Sequence, residues 1–207
     1  MTTRGIWAAA FAALAGLSVA NAAPVPPDEV VKTTTERLRQ EITVREKEFK
    51  SDPAKLYAFV DEVIVPKFDT KYIAQLILAR HWKDASDDQR KRFQAAFKDM
   101  LVHSYANALV EYHTQVKPEW QPLRMAADAT DVTVNSRLLR DGKPALPIGF
   151  AMRLKDGQWR VYDIVIENLS LVTSFRGQIN SEIKRTNLDA LIQRLESDHK
   201  IAPEGKS

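Results

Sequence analysis

Two carboxylates raise the question of chemistry. Asp163 and Glu167 lie in WRVYDIVIENLSLVTSF, a stretch that opens as a strand. Four residues apart, they fall on one face of it, because successive side chains alternate. A pair so placed can do acid–base work when its surroundings set the two proton affinities apart. The simpler use of an acid in an apolar strand is to pair with an arginine or cap a backbone amide. The four histidines, His81, His103, His113 and His199, are never three or four apart, and the chain has no cysteine. No helix therefore offers two ligands to one metal. His103 reads as a hydrogen-bonded, half-buried side chain, and His81 as a cation favoured at a helix end. Ser104, Ser170 and Ser174 occupy no glycine-flanked elbow. Ser170 reads as the cap of the helix that follows it. Beyond residue 22 the glycines are Gly142, Gly149, Gly157, Gly177 and Gly205, too scattered for a phosphate-cradling loop. Basic residues cluster at Arg90, Lys91, Arg92 and at Arg137, Arg140, Lys143. They read first as solvated faces, and otherwise as contacts for lipid head groups or an acidic partner. No catalytic constellation results: the chain reads as a non-enzyme without metal or cofactor.

The elements that position these residues begin after an export signal. Arg4 is a short positive region, GIWAAAFAALAGLSVA an apolar one, and Ala20-Asn21-Ala22 a small-residue cleavage site. The run is too short for a span of ~20 apolar residues. Residues 1–22 are thus expected to be a signal peptide, and residues 23–207 one soluble domain. With 30 basic and 27 acidic side chains, the balance does not call for nucleic acid. An exported chain without disulfides must be held by packing. This fits a bacterial periplasm.

Helical periods run from Asp28, as N-cap, to about residue 115. Val31, Thr34, Leu38 and Ile42 share one face. Asp52 caps a helix with Pro53 in its first turn and Leu56, Phe59, Val60 and Val63 inward. Asp69 caps another, with Tyr72, Ile73, Leu76 and Ile77 inward. Ser86 and Gln89 form a capping box for a long helix. Its stripes are Phe93, Phe97, Met100, Leu101, Ser104, Ala108 and Leu101, Tyr105, Leu109, Tyr112, a wide apolar arc. The period then becomes two in QPLRMAADA, DVTVNSRLLR, ALPIGFAMRLK and QWRVYDIVIE. Asp-Gly turns at 141–142 and 156–157 mark hairpins in which both central residues take positive φ. Along the last strand, Trp159, Val161 and Val165 fall on one face and Tyr162, Ile164 and Ile166 on the other. Two helices follow, with Leu171, Val172, Phe175, Ile179 and Ile183, then Leu188, Leu191, Ile192 and Leu195. Helices, then an antiparallel meander of about four strands, then helices make an α+β fold.

FDTKYIAQLILARHWKDASDDQRKRFQAAFKDMLVHSYANAL and WRVYDIVIENLSLVTSFRGQIN resemble the two signatures of the MlaC family of phospholipid-binding, or toluene-tolerance, proteins. The likeness covers nearly the whole chain beyond the signal. Asn168 and Ala79 stand where glycine is common, and both departures are expected to be mild. The resemblance implies an NTF2-like cone: a curved sheet wrapped by six or seven helices around an apolar cavity. It implies a periplasmic monomer that carries glycerophospholipid as cargo, without a cofactor. Its partners would be an outer-membrane lipoprotein–porin complex and an inner-membrane ABC transporter with an MCE-domain subunit, and its task the upkeep of outer-membrane lipid asymmetry. The alternative is an NTF2-like periplasmic enzyme or small-ligand-binding module built on Asp163.

The physical case for a carrier is simple. A phospholipid has two chains of roughly fifteen methylenes, and exposing both to water costs on the order of 20 kcal/mol. A carrier needs surplus apolar side chains and a wet mouth for the head group. The expected lining is Leu76, Phe97, Leu101, Tyr105 and Leu109 from helices. The strands add Val134, Ile148, Phe150, Met152, Tyr162, Ile164 and Ile166, and the following helix adds Val172 and Phe175.

Overall fold

The computed structural model describes residues 24–198. The expected signal peptide, His199 and Gly205 lie outside the described residues. Helices α1 (Pro27–Ser51), α2 (Pro53–Val63), α3 (Thr70–Leu78), α4 (His81–Asp84) and α5 (Asp87–Tyr112) come first, with a 3-10 turn at Val65–Lys67. Strands β1 (Val116–Trp120), β2 (Asp131–Arg140), β3 (Lys143–Lys155), β4 (Gln158–Ile166) and β5 (Leu169–Ser170) follow, then α6 (Leu171–Arg185) and α7 (Leu188–Asp198). The strands pair in sequence order, each antiparallel to the next. The fold is α+β, with a curved sheet beside helices, as expected.

Local chemistry explains the boundaries. Asp52 accepts from Ala54 N–H, Asp69 from Tyr72 N–H and Ser170 from Thr173 N–H, each satisfying a free donor at a helix start. Both bonds of the Ser86–Gln89 capping box are present. Asp28 is no cap: α1 begins one residue earlier behind Pro26, and Asp28 pairs with Lys32 at 2.8 Å in the first turn. His81 opens α4 instead of closing α3.

The sheet departs from expectation in three places. It has five strands where about four were expected, and residues 121–129 are not a strand. Val116–Trp120 takes that place despite Pro118, which is tolerated because β1 lies at the edge. In the second Asp-Gly hairpin Asp156 and Gly157 have φ of 50° and 71°, but in the first only Gly142 is positive. A third two-residue turn, Glu167 and Asn168 with φ of 49° and 66°, joins β4 to β5.

The buried apolar residues form three clusters. One lies among α3, α5, α6 and α7, around Ile77, Phe93, Met100, Ile179, Leu191 and Leu195. The second lies among α1, α2 and α5, around Ile42, Phe49, Leu56, Phe59, Val102 and Val110. The third joins the start of α1 to the sheet through Val31, Val134, Met152, Trp159 and Val161. Helix α5 therefore buries two different faces along its length. Phe93, Phe97 and Met100 serve the first cluster, and Val102, Ala106 and Val110 serve the second. The expected stripe through Tyr105 and Tyr112 is not buried: they are 37% and 47% exposed.

Ala79 is not a mild departure. It closes α3 at φ 49°, ψ −117°, a region that a Cβ disfavours. Ala79→Gly is expected to stabilise the protein by about 1 kcal/mol, raising the thermal midpoint by ~2–4 °C. A midpoint that falls in calorimetry would show that the backbone is unstrained there.

Candidate functional site

One face of the sheet is apolar across four strands. Cross-strand pairs place Trp120 beside Ser136, Ser136 beside Ile148, and Ile148 beside Ile166. The next row is Val134, Phe150 and Ile164, and the one beyond it is Val132, Met152 and Val161. The register of β4 slips between its partners Ala151 and Met152, which face Asp163 and Val161 and leave Tyr162 as an extra residue. The bulge reverses the alternation. Trp159 and Val161 thus share a face with Ile164 and Ile166, and Tyr162 does not. The Tyr162 hydroxyl donates to Asp131 Oδ1 at 3.0 Å, and its ring meets Tyr72 of α3 edge-on at 5.5 Å.

Of the expected lining, Val134 and Met152 are buried in the sheet cluster, with Phe150 and Ile164 half-buried against it. Ile148 and Ile166 are half-buried opposite one another. Phe97, Val172 and Phe175 are buried in the first helical cluster, where the Phe97 and Phe175 rings meet edge-on at 5.1 Å. Leu76 and Leu101 pack half-buried against that cluster, and Leu109 against the second. The structure therefore distributes these residues over three clusters. Trp120, Val132, Trp159 and Val161, outside the expected lining, lie on the same sheet face. Strict alternation, without the bulge, put Trp159 and Val161 on the face opposite Ile164 and Ile166.

Two clefts lie elsewhere. One of about 240 Å³ is lined by Val65, Thr70, Lys91, Gln94, Ala95 and Lys98. Another of about 490 Å³ lies between α1, α2 and the end of α5, beside Phe49, Pro53, Asn107 and Val110. Neither is lined by a residue of the expected set.

The candidate catalytic groups have structural uses. Asp163 Oδ2 accepts from Ser170 Oγ at 2.5 Å, and Oδ1 from Val172 N–H at 3.0 Å. Both oxygens therefore hold the first turn of α6, where a negative charge also suits the helix dipole. Glu167 lies in the exposed turn and not on the strand, so the two acids are not a pair on one strand face. His103 is half-buried, with Nδ1 2.7 Å from Asp99 O and its ring 4.3 Å from that of Tyr57. Arg90 donates to the carbonyls of Trp82 and Lys83, and Arg92 makes two bonds to Glu196. Arg140 donates to Pro144 O, and Arg137 lies 3.6 Å from Glu119. Buried Asp69 lies 3.3 Å from Lys155 Nζ and 4.0 Å from Arg153, whose guanidinium stacks 4.1 Å over the Tyr72 ring. Among the described residues no group of three acids or histidines could hold a metal ion, and no helix is long and apolar enough to cross a membrane.

The family model described as MlaC protein matches residues 32–197. The chain belongs to the MlaC family. It is 26% identical over 180 residues to the toluene tolerance protein ttg2D of Pseudomonas putida, covering 85% of this chain and 81% of that protein. It is 23% identical over 177 residues to the intermembrane phospholipid transport system binding protein MlaC of Haemophilus influenzae, covering 84% and 82%. Among solved structures, the phospholipid-binding protein from Ralstonia solanacearum, in complex with a phospholipid, superposes with a TM-score of 0.77. It is 29% identical, and the match covers 84% of this chain and 97% of that one. Two of these three relatives are thus named for phospholipid transport or phospholipid binding.

Two outcomes check the polar contacts. Asp163→Ala is expected to cost about 2 kcal/mol through loss of the α6 cap, read as a lower urea midpoint with an unchanged slope. An unchanged midpoint would mean that the cap is idle. The Tyr162 phenol is pushed up to about 12, by burial first and then by its bond to Asp131. The folded state thus favours the protonated phenol. That contribution is whole below the unfolded value near 10 and is lost as pH climbs toward 12. Tyr162→Phe should remove a late-titrating tyrosine from the alkaline ultraviolet titration; an unaltered curve would contradict the assignment.

Proposed function

We propose that this protein is a soluble, monomeric periplasmic carrier of glycerophospholipid, exported by a signal peptide over residues 1–22. It passes lipid between an outer-membrane lipoprotein–porin complex and an inner-membrane MCE-domain ABC transporter, and so maintains outer-membrane lipid asymmetry. The observation that carries this reading is the phospholipid held by the Ralstonia relative, whose chain is matched here over 97% of its length.

The divided core supports it. A sheet face with Ile148, Phe150, Ile164 and Ile166 only half-buried has apolar surface to offer a guest. So has the α5 stripe through Leu101, Tyr105 and Leu109. In the proposed complex the acyl chains lie along that sheet face, with α5 and the start of α6 as the opposing wall. Leu76, Phe97, Val134, Met152, Val172 and Phe175 back the wall from the clusters behind it. Tyr162, the bulge residue, points to the opposite face of the sheet and is left out. Neither cleft described above is lined by these residues, and in the proposed complex the apolar surfaces part to admit the lipid. Release requires a partner with higher affinity for the emptied protein or for the lipid, because equilibria shift only through differential affinity.

Native mass spectrometry of gently purified protein is expected to show one phospholipid per chain. Protein that arrives empty and takes up none when offered vesicles would overturn the carrier reading. Phe150→Glu should retain roughly tenfold less lipid, because an unpaired carboxylate would face hydrocarbon. Wild-type retention in a folded Phe150→Glu variant would remove the sheet face from the wall.

A further inference from the structure

Ser136 is the polar exception on the apolar sheet face. It is only 3% exposed, yet its Oγ has no hydrogen-bond partner. Its neighbours along β2 on that face are Val134 and Leu138, and its cross-strand neighbours are Trp120 and Ile148. The row continues through Ile166 to Leu169, which is 68% exposed. Ser136 is therefore buried one strand in from edge strand β1, in a row whose far end opens to water. A buried hydroxyl left without a partner bears the full cost of its desolvation, so native structures nearly always supply one.

We infer that Ser136 Oγ donates a hydrogen bond to an ester carbonyl of the bound lipid, fixing how deeply the glycerol backbone sits. This rests on the carrier reading. The chemistry of the surroundings selects the ester over the phosphate. A phosphate anion beside Val134, Leu138, Trp120 and Ile148 would be buried without a counter-charge, because the neighbouring Arg137 points from the opposite face of β2. An ester carbonyl is neutral and needs only one donor. It also stands where a diacyl lipid changes from polar to apolar, which matches a single hydroxyl in an apolar wall.

The test offers lipid-stripped protein an equimolar mixture of diacyl phosphatidylethanolamine and its dialkyl-ether analogue of equal chain length. The bound ratio is read by mass spectrometry. The wild-type protein is expected to favour the diester about fivefold, the worth of one buried neutral hydrogen bond. Ser136→Ala should bring the ratio near one, and Ser136→Thr, which keeps the hydroxyl, should hold it above one. Lipid-free Ser136→Ala should melt no lower than wild type, because the hydroxyl has no protein partner to lose. Equal binding of both lipids by wild type, or an ester preference that survives Ser136→Ala, overturns the inference alone. Failure of wild type to bind either lipid overturns the carrier reading and the inference with it.

Discussion

The helices bury most of their apolar side chains against one another, and this leaves the sheet incompletely covered. Helices α3, α5, α6 and α7 close around one cluster, and α1, α2 and α5 around another. Among the described residues, the start of α1, with Phe68 and Leu123, is what packs on the sheet cluster from outside the strands. Apolar surface left facing water costs ~25 cal/mol per Å², so a half-covered face is a standing affinity for hydrocarbon. The structurally similar Ralstonia protein was solved in complex with a phospholipid.

Polar contacts hold the frame around that face. The carboxylate of Asp69 caps α3, and its backbone N–H donates to Val161 O of β4. Asp163 reaches from β4 to the first turn of α6. Both helices are thereby tied to the same strand by bonds that do not involve the apolar face. Burial gives these bonds weight, because a carboxylate withdrawn from water must keep its donors.

Local chemistry was legible where it was complete within a few residues. The caps at Asp52, Asp69, Ser86 and Ser170 and the Asp156-Gly157 turn are of this kind. Edge strand β1 was hidden because Pro118 is excluded from central strands but not from edges, and the edge is a property of the sheet. The bulge at Tyr162 was hidden for a related reason. Nothing in WRVYDIVI marks where alternation breaks, and a single extra residue exchanges the faces of everything before it. Asp163 looked like chemistry in isolation, and its donors lie seven and nine residues away across a turn.

The sequence by itself determined the helix–sheet–helix order, the capped helix starts and the family, because capping, periodicity and signature runs are local patterns. Only the tertiary structure decided that α5 buries two faces, that Trp159 and Val161 share a side with Ile164, and that Ser136 lies unpaired among apolar neighbours. Those outcomes depend on which surfaces meet, and the meeting is set by register and packing between segments far apart in the chain.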